Sequence, residues 1–228
     1  MKRGFILTTY IERLKCDYQD RGSSIKSEVQ RQLIHLLTGI TLIFLIRIAG
    51  NLALTVLLLL ITFYILMSII IVMNKIPLSL SAFLCRWGRP AKQHVPLQGT
   101  ILLLIGITLS FILFPENVIY ASIAIVAFGD SIATAAGVLI GNHKLPYSKK
   151  KTVEGTVSGT IAAFLAASFF VTPLQALVGS AGGMLLESFL DLQTIREINS
   201  QTLLRFFFND NLLIPVFSGL LMFIVGPV

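Results

Sequence analysis

Phe128-Gly129-Asp130-Ser131-Ile132-Ala133-Thr134-Ala135-Ala136-Gly137 puts a carboxylate inside an apolar run, 117–141, long enough to cross a bilayer. Moving an ionised Asp from water to hydrocarbon costs roughly 2.5–3.5 kcal/mol on insertion scales. A chain that keeps such a group supplies a partner for it: a metal, a cation or a water-filled cavity. A few residues on, Lys149-Lys150-Lys151-Thr152-Val153-Glu154-Gly155 adds cations and a second carboxylate. An acid in the membrane beside a lysine-rich loop points to a metal–nucleotide site at the membrane surface.

The rest of the chain supplies the membrane. Of 228 residues 55% are hydrophobic and only 13% charged, about half the charge of a soluble domain. Mean hydropathy is +0.84. Apolar runs fall at 31–49, 51–73, 98–115, 117–141, 155–172, 174–190 and 211–227. A spanning helix needs roughly 20 apolar residues. We therefore expect an all-α, polytopic transmembrane helical bundle of about seven spans. It divides into a basic, cytosolic or interfacial segment, 1–30, and an integral membrane domain, 31–228. In the first segment Leu7, Ile11 and Leu14 recur at helical spacing, which fits a helix lying on the membrane surface or a tail. Residues 77–84 are too short to span. No cleavable signal is expected, because Phe5-Ile6-Leu7 is too short a core.

The net charge of +7 is explained by topology, so no nucleic-acid partner is expected. If seven spans alternate, seventeen of the eighteen Lys and Arg fall on one side, and only Arg47 falls on the other. Basic residues mark the cytosolic side, which places the N-terminus inside. Cys16 and Cys85 then lie in cytosolic segments without metal-ligand spacing and are expected as free thiols.

In this topology the first, third, fifth and seventh spans begin on the cytosolic side. Their N-termini present unpaired N–H groups and partial positive charge, which suit phosphate. The fifth begins at Thr152-Val153-Glu154-Gly155, and the seventh follows Asn209-Asp210-Asn211, where Asn or Asp suits a cap. Asp130, Thr134, Gly137 and Gly141 share one helix face by spacing, and Gly137/Gly141 and Gly155/Gly159 are G-x-x-x-G pairs that let helices approach closely.

Each candidate has a plain alternative. The lysines, Lys144 included, serve orientation as well as they would serve phosphate. Glu154 is either charge compensation at a helix N-terminus or part of the site. Glu28, Arg31 and His35 share a face as either a salt-bridged pair with an interfacial histidine or a functional group. Glu187 either snorkels to water or joins the site, and Asp210 is either a cap or a ligand. Together Asp130, Glu154, Glu187 and Asp210 place four carboxylates towards one membrane face.

Gly129-Asp130-Ser131-Ile132-Ala133, then Gly137, Gly141-Asn142-His143-Lys144-Leu145 and Lys150, Thr152, Glu154 and Gly155 resemble the polyprenol kinase family. That family includes dolichol kinase, phytol kinase and a CTP-dependent diacylglycerol kinase. The core is also similar to the CDP-diacylglycerol synthases. Glu28-x-x-Arg31-x-x-x-His35-x-x-x-Gly39 resembles the family's N-terminal pattern, with Gln32 where a Lys is usual. Asn209-Asp210-Asn211-Leu212 with Pro215, Ser218 and Gly219 resembles its C-terminal motif, so the resemblance covers about residues 28–220.

The resemblance implies a phosphotransferase acting from CTP or another nucleoside triphosphate on the hydroxyl of a membrane lipid alcohol. It implies Mg²⁺ or another divalent cation and a site facing the cytosol. It assigns Asp130 as metal or catalytic acid; Lys150, Thr152, Glu154 and Gly155 to the phosphates; and Asp210 and Asn211 to the last helix. The neighbouring Lys144, Lys149 and Lys151 are further nucleotide-binding candidates. Asp210 is a second metal candidate. The cytidylyltransferase signature, with Lys-Arg, a later Lys-Asp and a Gly-Gly-x-x-Asp-Arg end, is missing after Asn199, which favours the kinase branch. The alternatives are a phosphatidate cytidylyltransferase-like enzyme making a CDP-lipid and a small membrane transporter. Oligomeric state is not readable.

Overall fold

The structure is a computed structural model that describes residues 25–73, 97–148, 151–190 and 208–226. The segment 1–24 with Cys16, the stretch 77–84, Cys85, Lys149, Lys150, Arg196 and Arg205 lie outside the described residues.

The described residues are all-α. Helix α1 (Ile25–Ala49) leads through a 3-10 turn (Gly50–Leu52) into α2 (Ala53–Val72). Next come α3 (Gln98–Leu113) and α4 (Glu116–Ala124), which passes through a π-turn (Ile125–Asp130) directly into α5 (Ser131–Leu139). Then follow α6 (Val153–Ala167), α7 (Pro173–Phe189) and α8 (Asp210–Val225). Among the described residues strand pairing is limited to an isolated bridge between Lys144 and Thr152.

Each apolar run in the sequence coincides with a helix or, for 117–141, with the continuous rod of α4, π-turn and α5. Two helical stretches are long and apolar enough to cross a membrane, Glu28–Ile71 and Glu116–Leu139. Helices α3, α6 and α8 are apolar but shorter. Helix α1 runs without a break across residue 30, where composition had suggested a boundary.

Local chemistry explains the helix ends. Thr172 caps α7, accepting a hydrogen bond from the Gln175 N–H, with Pro173 at the first helical position. Gln175 returns its side chain to the cap, completing a capping box. Asn209 caps α8, its Oδ1 accepting from the Asn211 N–H at 3.0 Å, as expected for Asn before that span. Thr152 caps α6 through the Gly155 N–H at 3.2 Å. The link from α1 to α2 turns at Gly50, whose φ of +50° is the left-handed region that glycine enters at least cost.

The interior mixes large aliphatics with small residues at the helix contacts. Leu57, Ile107, Ile123, Ile125, Ile214 and Met222 are fully buried. A Cβ at Gly155 would lie 2.6 Å from the Ala133 carbonyl oxygen, and one at Gly159 would lie 2.7 Å from that of Gly129. The two helices touch backbone to backbone, so the packing role expected of the G-x-x-x-G residues holds on α6. Pro215 inside α8 leaves the Asn211 carbonyl without its usual partner. Gly106 of α3 sits against that stretch, where a Cβ would be 3.1 Å from the Asn211 oxygen. The outside is apolar as well: Phe44, Ile48, Ile112, Leu139, Phe169 and Ile224 are all more than half exposed.

Contacts at the two ends set how the helices run. At one end Asn211 Nδ2 donates to the Gly99 carbonyl at 3.1 Å, so α3 and α8 begin together. The loop ahead of α6 meets the end of α7 there, through Tyr147 and Ser188. At the other end Gln175 Nε2 donates to the Met222 carbonyl at 3.2 Å, joining the start of α7 to the end of α8. Tyr120 meets Phe170 there, with ring centroids 5.7 Å apart.

Candidate functional site

Asp130 closes the π-turn, where the helix is one residue wider than an α-turn. Such turns recur at functional sites, and nothing in the apolar pattern signals this one. The turn and α5 bring the Asp130 carboxylate towards α1. His35 Nε2 lies 3.7 Å from Asp130 Oδ2, both side chains largely buried. Thr134 Oγ1 donates to Asp130 Oδ1 at 3.5 Å, as their shared face requires. Ser131 Oγ donates to the Gln32 carbonyl at 3.1 Å and fixes α1 against the same place. Gly39, one turn beyond His35, allows that closeness, because it packs directly on Ala127. Arg31 pairs with Glu28, and Gln32 Nε2 donates to the same carboxylate at 3.4 Å. Of the face Glu28, Arg31, His35, Gly39, the residues His35 and Gly39 are thus turned towards the helix that carries Asp130.

The described residues of the loop between α5 and α6 pair with one another across it. Leu145 N–H donates to the Lys151 carbonyl at 3.1 Å, and Val153 N–H to the His143 carbonyl at 2.9 Å. Glu154 serves this loop: it accepts the His143 N–H at 3.1 Å and faces His143 Nδ1 at 2.6 Å. Those hydrogen bonds, His143's side chain first, hold the Glu154 carboxyl down at about 2, against an ordinary 4.5. Glu154 acts here as a clasp.

Lys151 leaves the loop and pairs with Glu187 at the end of α7. Burial alone would lower its pKa, but the carboxylates of Glu187, Asp130 and Asp210 outweigh that and raise it. One ammonium therefore lies within electrostatic reach of three carboxylates drawn from α7, the π-turn and α8. Glu187 does not snorkel to water: it is 2% exposed, and its Oε2 has no hydrogen-bond partner among the described residues. The sequence offered Glu187 as a lesser candidate, because residues 36 apart give no periodic signal of contact.

Other expected residues have structural tasks. Thr152 is buried and its hydroxyl caps α6; Gly155 is buried against α5; the Asn211 amide ties α8 to α3. Lys144 is exposed on the loop, with its backbone bridged to Thr152. Gly141 falls just past the end of α5, against Thr152 and Gly137. Among the described residues, no three His, Cys, Asp or Glu side chains converge as a protein-only metal cage.

A cavity of about 350 Å³ lies between α1, α2 and α3, lined by Ile34, Thr38, Leu42, Tyr64 and Leu103 among others. The Thr38 and Thr41 hydroxyls that face it donate to carbonyls of their own helix at 2.8 Å, so the α1 wall offers hydrocarbon. Ile34 directly precedes His35, and Thr38 lies about one helical turn beyond it. The apolar cavity and the Asp130 face are therefore neighbouring sides of α1.

Comparison of the chain with protein-family models, with curated proteins and with solved structures finds no match.

Proposed function

We propose that the chain is a multi-pass membrane kinase with its N-terminus and active site facing the cytosol. It transfers the γ-phosphate of CTP, or of another nucleoside triphosphate, to the hydroxyl of a lipid alcohol. That alcohol is an isoprenoid of the polyprenol or dolichol type, or diacylglycerol. The membrane placement draws support from the apolar outer surface and the two stretches long enough to cross, together with the one-sided Lys and Arg. The observation that carries the activity is the Lys151–Glu187 pair at the end of α7, with the Asp130 and Asp210 carboxylates near enough to act on the Lys151 charge. Phosphoryl transfer depends on positioning and charge neutralisation more than on covalent help.

A divalent cation fits the donor set. The groups are carboxylates, hard oxygen donors suited to Mg²⁺, and the buried Glu187 Oε2 is short of a partner among the described residues. Mg²⁺ is held by one or two carboxylates plus substrate phosphates, so a three-ligand protein cage is not required. Asp130 and Asp210 would hold it, and when bound it would neutralise charge on the β- and γ-phosphates. Lys151 neutralises the same phosphates from the loop side. The lipid lays its chain along the apolar cavity beside α1 and brings its hydroxyl past His35 towards Asp130. The alcohol oxygen bonds to the γ-phosphorus as the bond to the β–γ bridging oxygen breaks. The nucleoside diphosphate leaves with that electron pair, and His35, whose Nε2 lies 3.7 Å from Asp130 Oδ2, is placed to take the hydroxyl proton.

The test is a transfer assay with γ-labelled CTP and ATP over a panel of lipid alcohols. Label in the lipid supports the kinase. Label only in pyrophosphate, with lipid phosphate as acceptor, replaces it with a cytidylyltransferase. Purified protein that binds no nucleotide replaces both with the transporter.

A further inference from the structure

We propose that Glu187 is a positioning residue that sets the Lys151 ammonium where it grips the triphosphate, an inference that rests on the kinase reading above. A lysine is a hydrated point charge on a flexible four-carbon stem, and its position must be imposed from outside. Lys151 sits on a loop, and Glu187 Oε1 is what its Nζ meets. The two ends of this pair differ: the Lys151 side chain is 26% exposed and that of Glu187 is 1% exposed. The anchor is sealed in the protein while the cation keeps about a quarter of its side chain exposed.

The anchor is also rigidly mounted. The two residues after Glu187 hold the same loop from its other arm. Ser188 Oγ and the Tyr147 hydroxyl are hydrogen-bonded at 2.9 Å, and the Phe189 ring stacks on Tyr147 at 4.9 Å and 13°. Ser148 Oγ accepts the Lys151 N–H at 3.0 Å. Consecutive residues at the end of α7 thus fix both arms of the basic turn, and Glu187 fixes the charged one.

Glu187 Oε2 separates this role from simple loop attachment. It is buried and has no hydrogen-bond partner among the described residues. A carboxylate kept only to tie a loop down has both oxygens satisfied, because an unmet buried acceptor is costly. Among the described residues the open oxygen leaves the pair one donor short. Protein kinases use the same physical device: a Lys–Glu ion pair must be in place before the lysine serves the phosphates.

The test uses the full chain in detergent, as wild type, K151Q, E187Q, E187D and the double variant K151Q/E187Q. Kinetics give kcat and the separate KM values for CTP·Mg²⁺ and for the lipid alcohol. Calorimetry gives CTP·Mg²⁺ binding without lipid. E187Q is expected to raise the CTP KM and dissociation constant at least tenfold and leave the lipid KM within twofold. The double variant is expected to be no worse than K151Q alone, because both act through one ammonium. E187D, which keeps the charge on a stem one carbon shorter, is expected to recover part of the loss and to leave the CTP KM a few-fold above wild type. Effects that multiply in the double variant, or wild-type CTP affinity in E187Q, overturn the proposal. If E187Q does not fold, E187D decides: a raised CTP KM with unchanged lipid KM supports it, and an unchanged CTP KM overturns it. A wild type that binds CTP·Mg²⁺ but phosphorylates no lipid refutes the kinase reading alone, and the binding comparison still decides Glu187. A wild type that binds no triphosphate refutes both.

Discussion

The contact between α5 and α6 makes a quantitative prediction through Gly155. An Ala there places a Cβ 2.6 Å from the Ala133 carbonyl oxygen and 3.1 Å from Gly137 Cα. Carbon–oxygen contacts between helices settle near 3.3–3.6 Å. The shortfall is therefore about 0.7 Å, and the clashing atoms belong to backbone that no rotamer change can move. Overpacking of this kind costs roughly 1–3 kcal/mol. At about 2–4 °C per kcal/mol for a chain of this size, the melting temperature should fall by about 2 to 12 °C.

Gly182 supplies the control. A Cβ there meets the terminal methyl of Leu221, a flexible end, with everything else at 3.6 Å or more. Both glycines are in helices, so the intrinsic Gly-to-Ala preference, about 1 kcal/mol, cancels between the two variants. Circular dichroism melts in detergent should rank G155A clearly below G182A, and G155A should also lose transfer activity as the start of α6 shifts from Asp130. Equal melting temperatures, or a lower one for G182A, would refute the backbone contact.

Asp130→Asn should abolish transfer while the protein still inserts and melts cooperatively; full activity removes Asp130 from the mechanism. Chelation of divalent cations should stop transfer and added Mg²⁺ restore it, with Asp210→Asn raising the Mg²⁺ requirement; activity in chelator excludes the metal. Thr172→Ala removes a capping box at the far end of the bundle, so it should cost about 1 kcal/mol of stability with little change in kcat, as thermal melts and kinetics would show. The Glu154 carboxyl, held at about 2 by His143, contributes stability above the ordinary carboxylate range that is lost as pH falls from about 4.5 towards 2. Its carboxyl carbon should therefore titrate near 2 by NMR, and a midpoint above 4 means that the clasp is open in solution.

Much of this architecture is legible in the chain. The apolar runs locate the helices because helix length and hydropathy are local properties. The Asn209 cap, the close approach of Gly155 and Gly159, and the shared face of Arg31 and His35 follow from spacing alone. Contacts between distant residues are different. Nothing periodic reveals that Glu187 meets Lys151 or that Glu154 turns back to His143, since a carboxylate near a helix end reads the same whether it snorkels, caps or pairs. The π-turn is equally silent, because one wider turn leaves hydropathy unchanged. Lys149 and Lys150, prominent in the sequence, lie outside the described residues.

The wider turn at 125–130 has a mechanical result for the rod that contains it. One added residue rotates everything downstream by about 100° relative to a continuous α-helix. The upstream half of the rod is buried all round from Val118 to Ala124, and the downstream half aims Asp130 at α1 and Gly137 at α6. Shortening this stretch by one residue would swing the acid away from His35 and the glycine off its neighbour in a single step, while leaving the length and greasiness of the segment almost untouched.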